Sequence, residues 1–245
     1  NLVFKANRKA KDKEKAKKEE FTNIYRIYIH GGEAVKLFKV PALISGFTML
    51  DDETCLFLME SDLHGKNLFA LKKDEEKKKE QDRREAEQDY EVLEEIPFWS
   101  NGGGFTSGKR SRLCHYDIKS EKLTVINKGK TSINDFSLNE TKTKALVLLD
   151  ENKGVMELDS KLGILDLTTK KLSEIKIGKH RFRDAQFLDD DTVFLIISEG
   201  KTYGLNENGK FYLLDLKNNN LQVMIEDQDI SVGSSVNSDM RYGGG

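Results

Sequence analysis

Apolar and polar residues alternate with a period of two along most of the chain, and the alternation comes in paired runs. Three pairs match in register: LCHYDIKSEKLTVI (113–126), LGILDLTTKKLSEI (162–175) and KFYLLDLKNNNLQVMI (210–225). Each is an alternating run, an aspartate, a polar turn of Lys, Asn, Ser or Thr, and a second alternating run, which predicts a β-hairpin. The shared Asp117, Asp166 and Asp215 are spaced by 49 residues each time. Aspartates in that position cap hairpin turns by hydrogen-bonding nearby backbone.

A second block recurs after the first two hairpins. INDFSLNETKTKALVLLDE (133–151) aligns with FRDAQFLDDDTVFLIISEG (182–200), again offset by 49. An earlier copy, ISGFTMLDDETCLFLMESD (44–62), follows the hairpin-like IYRIYIHGGEAVKLFKV (24–40). There Met49 leads Leu138 by 89, and the extra length of about 40 residues matches a charged tract at 72–96. The unit is therefore a strand, an acidic or polar turn, a buried strand, a loop and a hairpin. Four short antiparallel strands in about 49 residues is the size of a propeller blade. A β-sandwich would give regular strands without this constant recurrence of matched aspartates, and a β-helix repeats at a shorter period.

The expected fold is all-β: a partial or truncated β-propeller over residues 1–245, of about four to five blades of four antiparallel strands, carrying a charged helical or loop insert at 72–96. The chain opens inside one blade with NLVFKAN and closes with SVNSDMRYGGG, which resembles the opening block of another. A fragment of a larger ring is therefore expected, and its unpaired strand edges add an expectation of self-association.

Composition changes this picture little. The net charge is −2 and there is no run of about 18 apolar residues, so neither nucleic acid nor a membrane is an expected partner. RKAKDKEKAKKEE (8–20) and KKDEEKKKEQDRREAEQDYEVLEE (72–95) are runs of mixed sign. Both predict a solvated loop or an exposed helix, and the first has no aromatic on which a base could stack. The second leads into YEVLEEIPF, whose returning apolar residues are expected to dock the insert back onto the propeller. Cys55 and Cys114 read as buried free thiols, which points to a cytoplasmic location.

The stretch GGFTSGK (103–109) has the G-x-x-x-x-G-K core of a phosphate-binding loop. Such a loop needs a helix after it and a Ser or Thr after the lysine. Here Arg110 follows, and then SRLCHYDIKSEKL, which alternates like a strand, so no ATP binding is expected. The glycines are expected instead to let the backbone turn sharply beside Trp99 and Phe105. The nucleophile elbow G-x-S-x-G is absent, and GSSVN at Gly233 lacks its second glycine. His30, His64, His115 and His180 are scattered, no zinc spacing exists, and Asp51, Asp52 and Asp189–Asp191 recur at turns rather than at a ligand set. No catalytic residue, metal or cofactor is expected.

The segment DYEVLEEIPFWSNGGGFTSGKRSRLCHYDIKSEKLTVI resembles the propeller of the prolyl oligopeptidase family of serine peptidases, in its acylaminoacyl-peptidase-like branch. The family pattern places I-P-[FY], [ND]-G and G-[FY] before R-x-x-L-[FWYC]-x-x-D. Here these are Ile96-Pro97-Phe98, Asn101-Gly102 and Gly104-Phe105, then Arg110 or Arg112, Leu113 and Asp117. IYRIYIHGGEAVKLF looks like the family's recurrent hairpin. The resemblance implies a C-terminal α/β-hydrolase domain with a Ser–Asp–His triad, expected but absent from residues 1–245, and a propeller that gates access and shapes peptide specificity. It implies that this chain alone does not hydrolyse peptides, and that Phe98, Trp99, Asn101 and Phe105 border the substrate cavity or the domain interface. The alternatives are a free-standing propeller that binds protein or peptide, and a propeller hydrolase such as a lactonase with carboxylates converging on a metal.

Overall fold

The computed structural model describes residues 1–7, 10–178, 180–204 and 207–225. GSSVN and SVNSDMRYGGG lie outside the described residues. The first sheet is three-stranded, β1 (Leu2–Lys5), β2 (Thr22–Ile27) and β3 (Val35–Val40), in that order. Then follow β4 (Ile44–Met49), β5 (Thr54–Asp62), the short pair β6 (Trp99–Ser100) and β7 (Gly104–Phe105), β8 (Lys109–Asp117) and β9 (Lys122–Val125). The second sheet runs β4-β5-β8-β9, with β6 and β7 forming a sheet of their own. The third is β10 (Thr131–Leu138), β11 (Lys144–Glu151), β12 (Lys161–Asp166) and β13 (Lys171–Glu174), and the fourth is β14 (Arg181–Phe187), β15 (Thr192–Ser198), β16 (Lys210–Asp215) and β17 (Asn220–Val223). Within each of these four sheets, sequence neighbours are sheet neighbours, as in propeller blades. The fold is a partial β-propeller.

The chain divides into two compact units, one of residues 1–135 with 150–157, the other of 136–149 with 158 onward. In the first, the alternation of β5 sends Cys55, Phe57 and Met59 to one face, where they pack with Ile24 and Val40 from the first sheet, with Ile44 from β4 and with Cys114 and Tyr116 from β8. Both cysteines are buried free thiols, and burial pushes each up to about 12. In the second, Val193, Leu195 and Ile197 of β15 meet Leu146, Leu162, Phe182 and Leu214. Each such side chain contributes about 1.5–3 kcal/mol by leaving water.

The matched aspartates close the hairpins. Asp117 Oδ1 accepts the Ser120 N–H at 2.8 Å, Asp166 Oδ1 the Thr169 N–H at 2.7 Å, and Asp215 Oδ1 the Lys217 N–H at 2.8 Å. The fourth residue after each, Glu121, Lys170 and Asn219, has a positive φ of 53°, 59° and 53°. The repeat therefore extends to backbone conformation. Asp51 and Asp189 do the same work between first and second strands, each accepting two backbone N–H groups at 2.7–2.9 Å.

Both charged tracts are helical in part: α1 (Ala10–Glu19) lies between β1 and β2, and α2 (Asp74–Ala86) between β5 and β8. Because β1 pairs with the first strand of the β2–β3 hairpin, as β5 pairs with β8, both helices leave from the same topological slot of their sheets. They meet there. Gln81 Nε2 donates to the Lys18 carbonyl at 3.1 Å, and Arg84 pairs with Glu20. Glu80 is buried, which its charged surroundings in sequence do not suggest. Its carboxylate receives Arg83 Nη2 at 2.7 Å, Arg84 Nε at 3.1 Å and the Lys66 N–H at 3.2 Å. The bonds from Arg83, against the opposing effect of burial, bring it down to about 2.

Candidate functional site

The insert between β5 and β8 spans residues 63–108 and ends in the IPFWSNGGGF segment. That segment is a tight hairpin. Trp99 pairs with Phe105 and Ser100 with Gly104, and the Gly103 N–H closes the turn on the Ser100 carbonyl at 3.0 Å. Gly102 and Gly104 take φ of 78° and 80°, where a Cβ is strained, so the glycine run is what this turn requires. The Trp99 and Phe105 rings meet edge to face with centroids 5.0 Å apart, both substantially exposed.

GGFTSGK runs straight into β8 at Lys109, so a strand occupies the place where a phosphate loop opens a helix. The loop also has an internal anion. Gly108, at φ 72°, donates its N–H to Glu95 Oε2 at 2.9 Å. Arg110, in turn, binds Glu95 in fork-to-fork fashion, Nη2 to Oε1 at 2.5 Å and Nη1 to Oε2 at 2.9 Å. Its remaining N–H groups donate to the carbonyls of Lys109 (2.8 Å), Lys130 (3.1 Å) and Asn152 (3.2 Å). Both side chains are buried, and the Arg110 bonds, aided by the Gly108 N–H, hold the Glu95 carboxyl below the usual range. The sequence expectation that apolar residues dock the insert is corrected here. Tyr90, Val92, Leu93 and Ile96 are exposed, and the anchor is Glu95, with backbone bonds from Ile96 to Gly154 and Met156 at 2.8 Å.

Two cavities lie at this anchor. One of 520 Å³ is lined by Phe105, Thr106 and residues of β4 and β5; the other, of 270 Å³, by Pro97, Trp99 and Met156. Lys109, Arg110, Ser132 and Asn134 line both. Arg110 is consumed by Glu95 and three carbonyls, whereas the Lys109 ammonium makes no ion pair among the described residues. The two linings set Trp99 or Phe105 near the Lys109 ammonium, with Glu60 in the larger cavity and Asp150 and Glu151 in the smaller. Serines are present in both linings but no histidine is. Of the four residues predicted to border a cavity or interface, Trp99 and Phe105 line one cavity each, while Phe98 and Asn101 line neither and are exposed on the hairpin.

Among the described residues no helix is long and apolar enough to cross a membrane, and no three His, Cys, Asp or Glu side chains are grouped to hold a metal.

No protein-family model and no curated protein matches the chain. Solved structures do. The acylaminoacyl peptidase of Pyrococcus horikoshii is similar over 87% of this chain at 15% identity, with a TM-score of 0.58. The chain spans 30% of that protein's length. Weaker likenesses include an oligogalacturonate lyase in complex with manganese (10% identity, 85% of this chain and 43% of that one, TM-score 0.49). They also include the β-propeller domain of the Trilobed protease from Pyrococcus furiosus (10% identity, 71% and 39%, TM-score 0.39). At these identities the likeness is one of fold.

Proposed function

We propose that this chain is the propeller part of a serine peptidase of the prolyl oligopeptidase family, of the acylaminoacyl-peptidase-like branch. The supporting observation is that the IPFWSNGGGF motif and the repeat match that family's pattern in a chain whose fold is shared, over 87% of its length, with an acylaminoacyl peptidase. In this reading the propeller gates the entry of short or N-terminally blocked peptides to a hydrolase domain supplied by the rest of the protein. The Trp99–Phe105 hairpin and Lys109 face the substrate, the rings taking an apolar side chain and the ammonium a carboxylate. The two free thiols support a reducing, cytoplasmic setting.

The test is the gene product in full, with the hydrolase domain that the reading requires. It should be labelled by a serine-reactive fluorophosphonate, whereas residues 1–245 alone should not be. Trp99→Ala should lower kcat/KM for acyl-peptides while leaving a small activated ester unchanged, because the ester needs no gate. A reading frame without a G-x-S-x-G region, or stoichiometric labelling of residues 1–245, refutes the proposal.

A further inference from the structure

The two charged insertions border a third cavity, of 410 Å³, that is separate from the hairpin site. Its floor is apolar: Phe21 and Leu68 are buried and Phe69 is half-buried, with Pro41 beside them. Its rim is cationic. Lys39 Nζ stands 4.9 Å above the Phe21 ring, and Lys77 and Lys78 come from α2. Asp74, Lys77, Lys78 and Gln81 recur at helical spacing, so one face of α2 forms this wall.

The charges on the rim do not cancel. None of Lys39, Lys77 and Lys78 makes an ion pair among the described residues. Glu19 is engaged with Lys15 at 3.8 Å, and Gln81 is tied to the Lys18 carbonyl. That leaves Asp74 as the one rim carboxylate outside an ion pair among the described residues, against three ammonium groups. The wall is held in place from outside by Arg84, which joins α2 to Glu20 and to the Lys66 carbonyl. An apolar floor of this volume with a net positive rim suits an amphipathic anion. We propose that this cavity binds a small organic anion with an apolar body, an aryl or branched-alkyl carboxylate. The apolar part lies on Phe21, Leu68 and Phe69, and the carboxylate between Lys39 and the Lys77–Lys78 pair. The proposal is independent of the peptidase reading.

The experiment is an amide-shift NMR titration of the ¹⁵N-labelled 245-residue chain with 3-phenylpropionate. The amides of Phe21, Leu68, Phe69 and Gln81 should shift together, with a Kd on the order of 1 mM for so small a ligand. The neutral 3-phenylpropanamide should bind about fivefold more weakly, and Lys77→Ala/Lys78→Ala should lose about the same factor for the acid with the circular dichroism unchanged. Phe105→Ser should leave the shifts of Phe21, Leu68, Phe69 and Gln81 as they were. The proposal is overturned if those amides stay still at about ten times that concentration, if the amide binds as well as the acid, or if the shifts centre on Trp99 and Phe105.

Discussion

Replacing Arg110 with methionine should cost the first unit about 3–5 kcal/mol. The substitution keeps most of the side-chain volume but strands the Glu95 carboxylate in a buried position, a situation worth about that much. It also takes a donor from the Lys130 and Asn152 carbonyls, which lie near enough to the surface for water to replace part of the loss. Glu95→Gln should cost less, about 1.5–3 kcal/mol, because Arg110 keeps three carbonyl acceptors and the amide oxygen can still accept the Gly108 N–H. Arg110→Met with Glu95→Leu removes both charges and should cost less than Arg110→Met alone. The assay is urea unfolding followed through Trp99, the chain's single tryptophan, which sits on the anchored hairpin. With a slope of about 2–3 kcal/mol per molar, the single Arg110 variant should move the midpoint down by about 1–2 M. Hydrogen exchange at the Gly108 amide should accelerate in parallel. A loss below about 1 kcal/mol for Arg110→Met, or a double variant whose loss equals the sum of the singles, refutes the claim that this pair anchors the insert.

Other expectations follow from the same geometry. Lys170→Gly should raise stability by about 0.5–1 kcal/mol in thermal unfolding, since glycine accepts the positive φ of 59° without strain; no gain would mean that the turn is not strained there. Gly104→Val should lose about 1–2 kcal/mol from the hairpin and alter Trp99 emission, because φ of 80° excludes a β-branched residue although the space around it is open. Glu80 lies below its unfolded value of 4.5, so its contribution is full above pH 4.5 and is lost as pH falls toward about 2. Solvent around the two arginines limits that contribution to about 1–2 kcal/mol, and Glu80→Gln should flatten the pH dependence of urea stability between pH 5 and about 2 by that amount. Leu195→Ala should cost about 2–5 kcal/mol in urea unfolding of the second unit, as expected for a fully buried leucine.

The strands were legible because burial on alternate faces writes a period of two into each, and the turns because Asp117, Asp166 and Asp215 accept local N–H groups. The first sheet was legible only through its β2–β3 hairpin, as LVFK is too short to show a period and α1 separates it from its partner. Glu95 and Arg110 were not found as a pair. They stand 15 residues apart across an irregular loop, and no spacing rule connects a carboxylate to a guanidinium at that distance. Glu80 was missed for a related reason. A charge run reads as solvated, and only the tertiary approach of Arg84, Glu20 and Lys66 makes one of its acids an interior group. The tight turn beside Trp99 and Phe105 was legible because a glycine cluster between aromatics signals a sharp reversal of the backbone.

Because α1 and α2 leave from the same slot of neighbouring sheets and grip each other through Gln81, Arg84 and Glu20, neither insertion is a free passenger on its blade. An ancestor carrying only one of them would have left Arg84 without Glu20 or Glu20 without its arginine. Across related chains the two insertions should therefore be gained, lost and resized together, so that length variation between the first and second blades is correlated rather than independent.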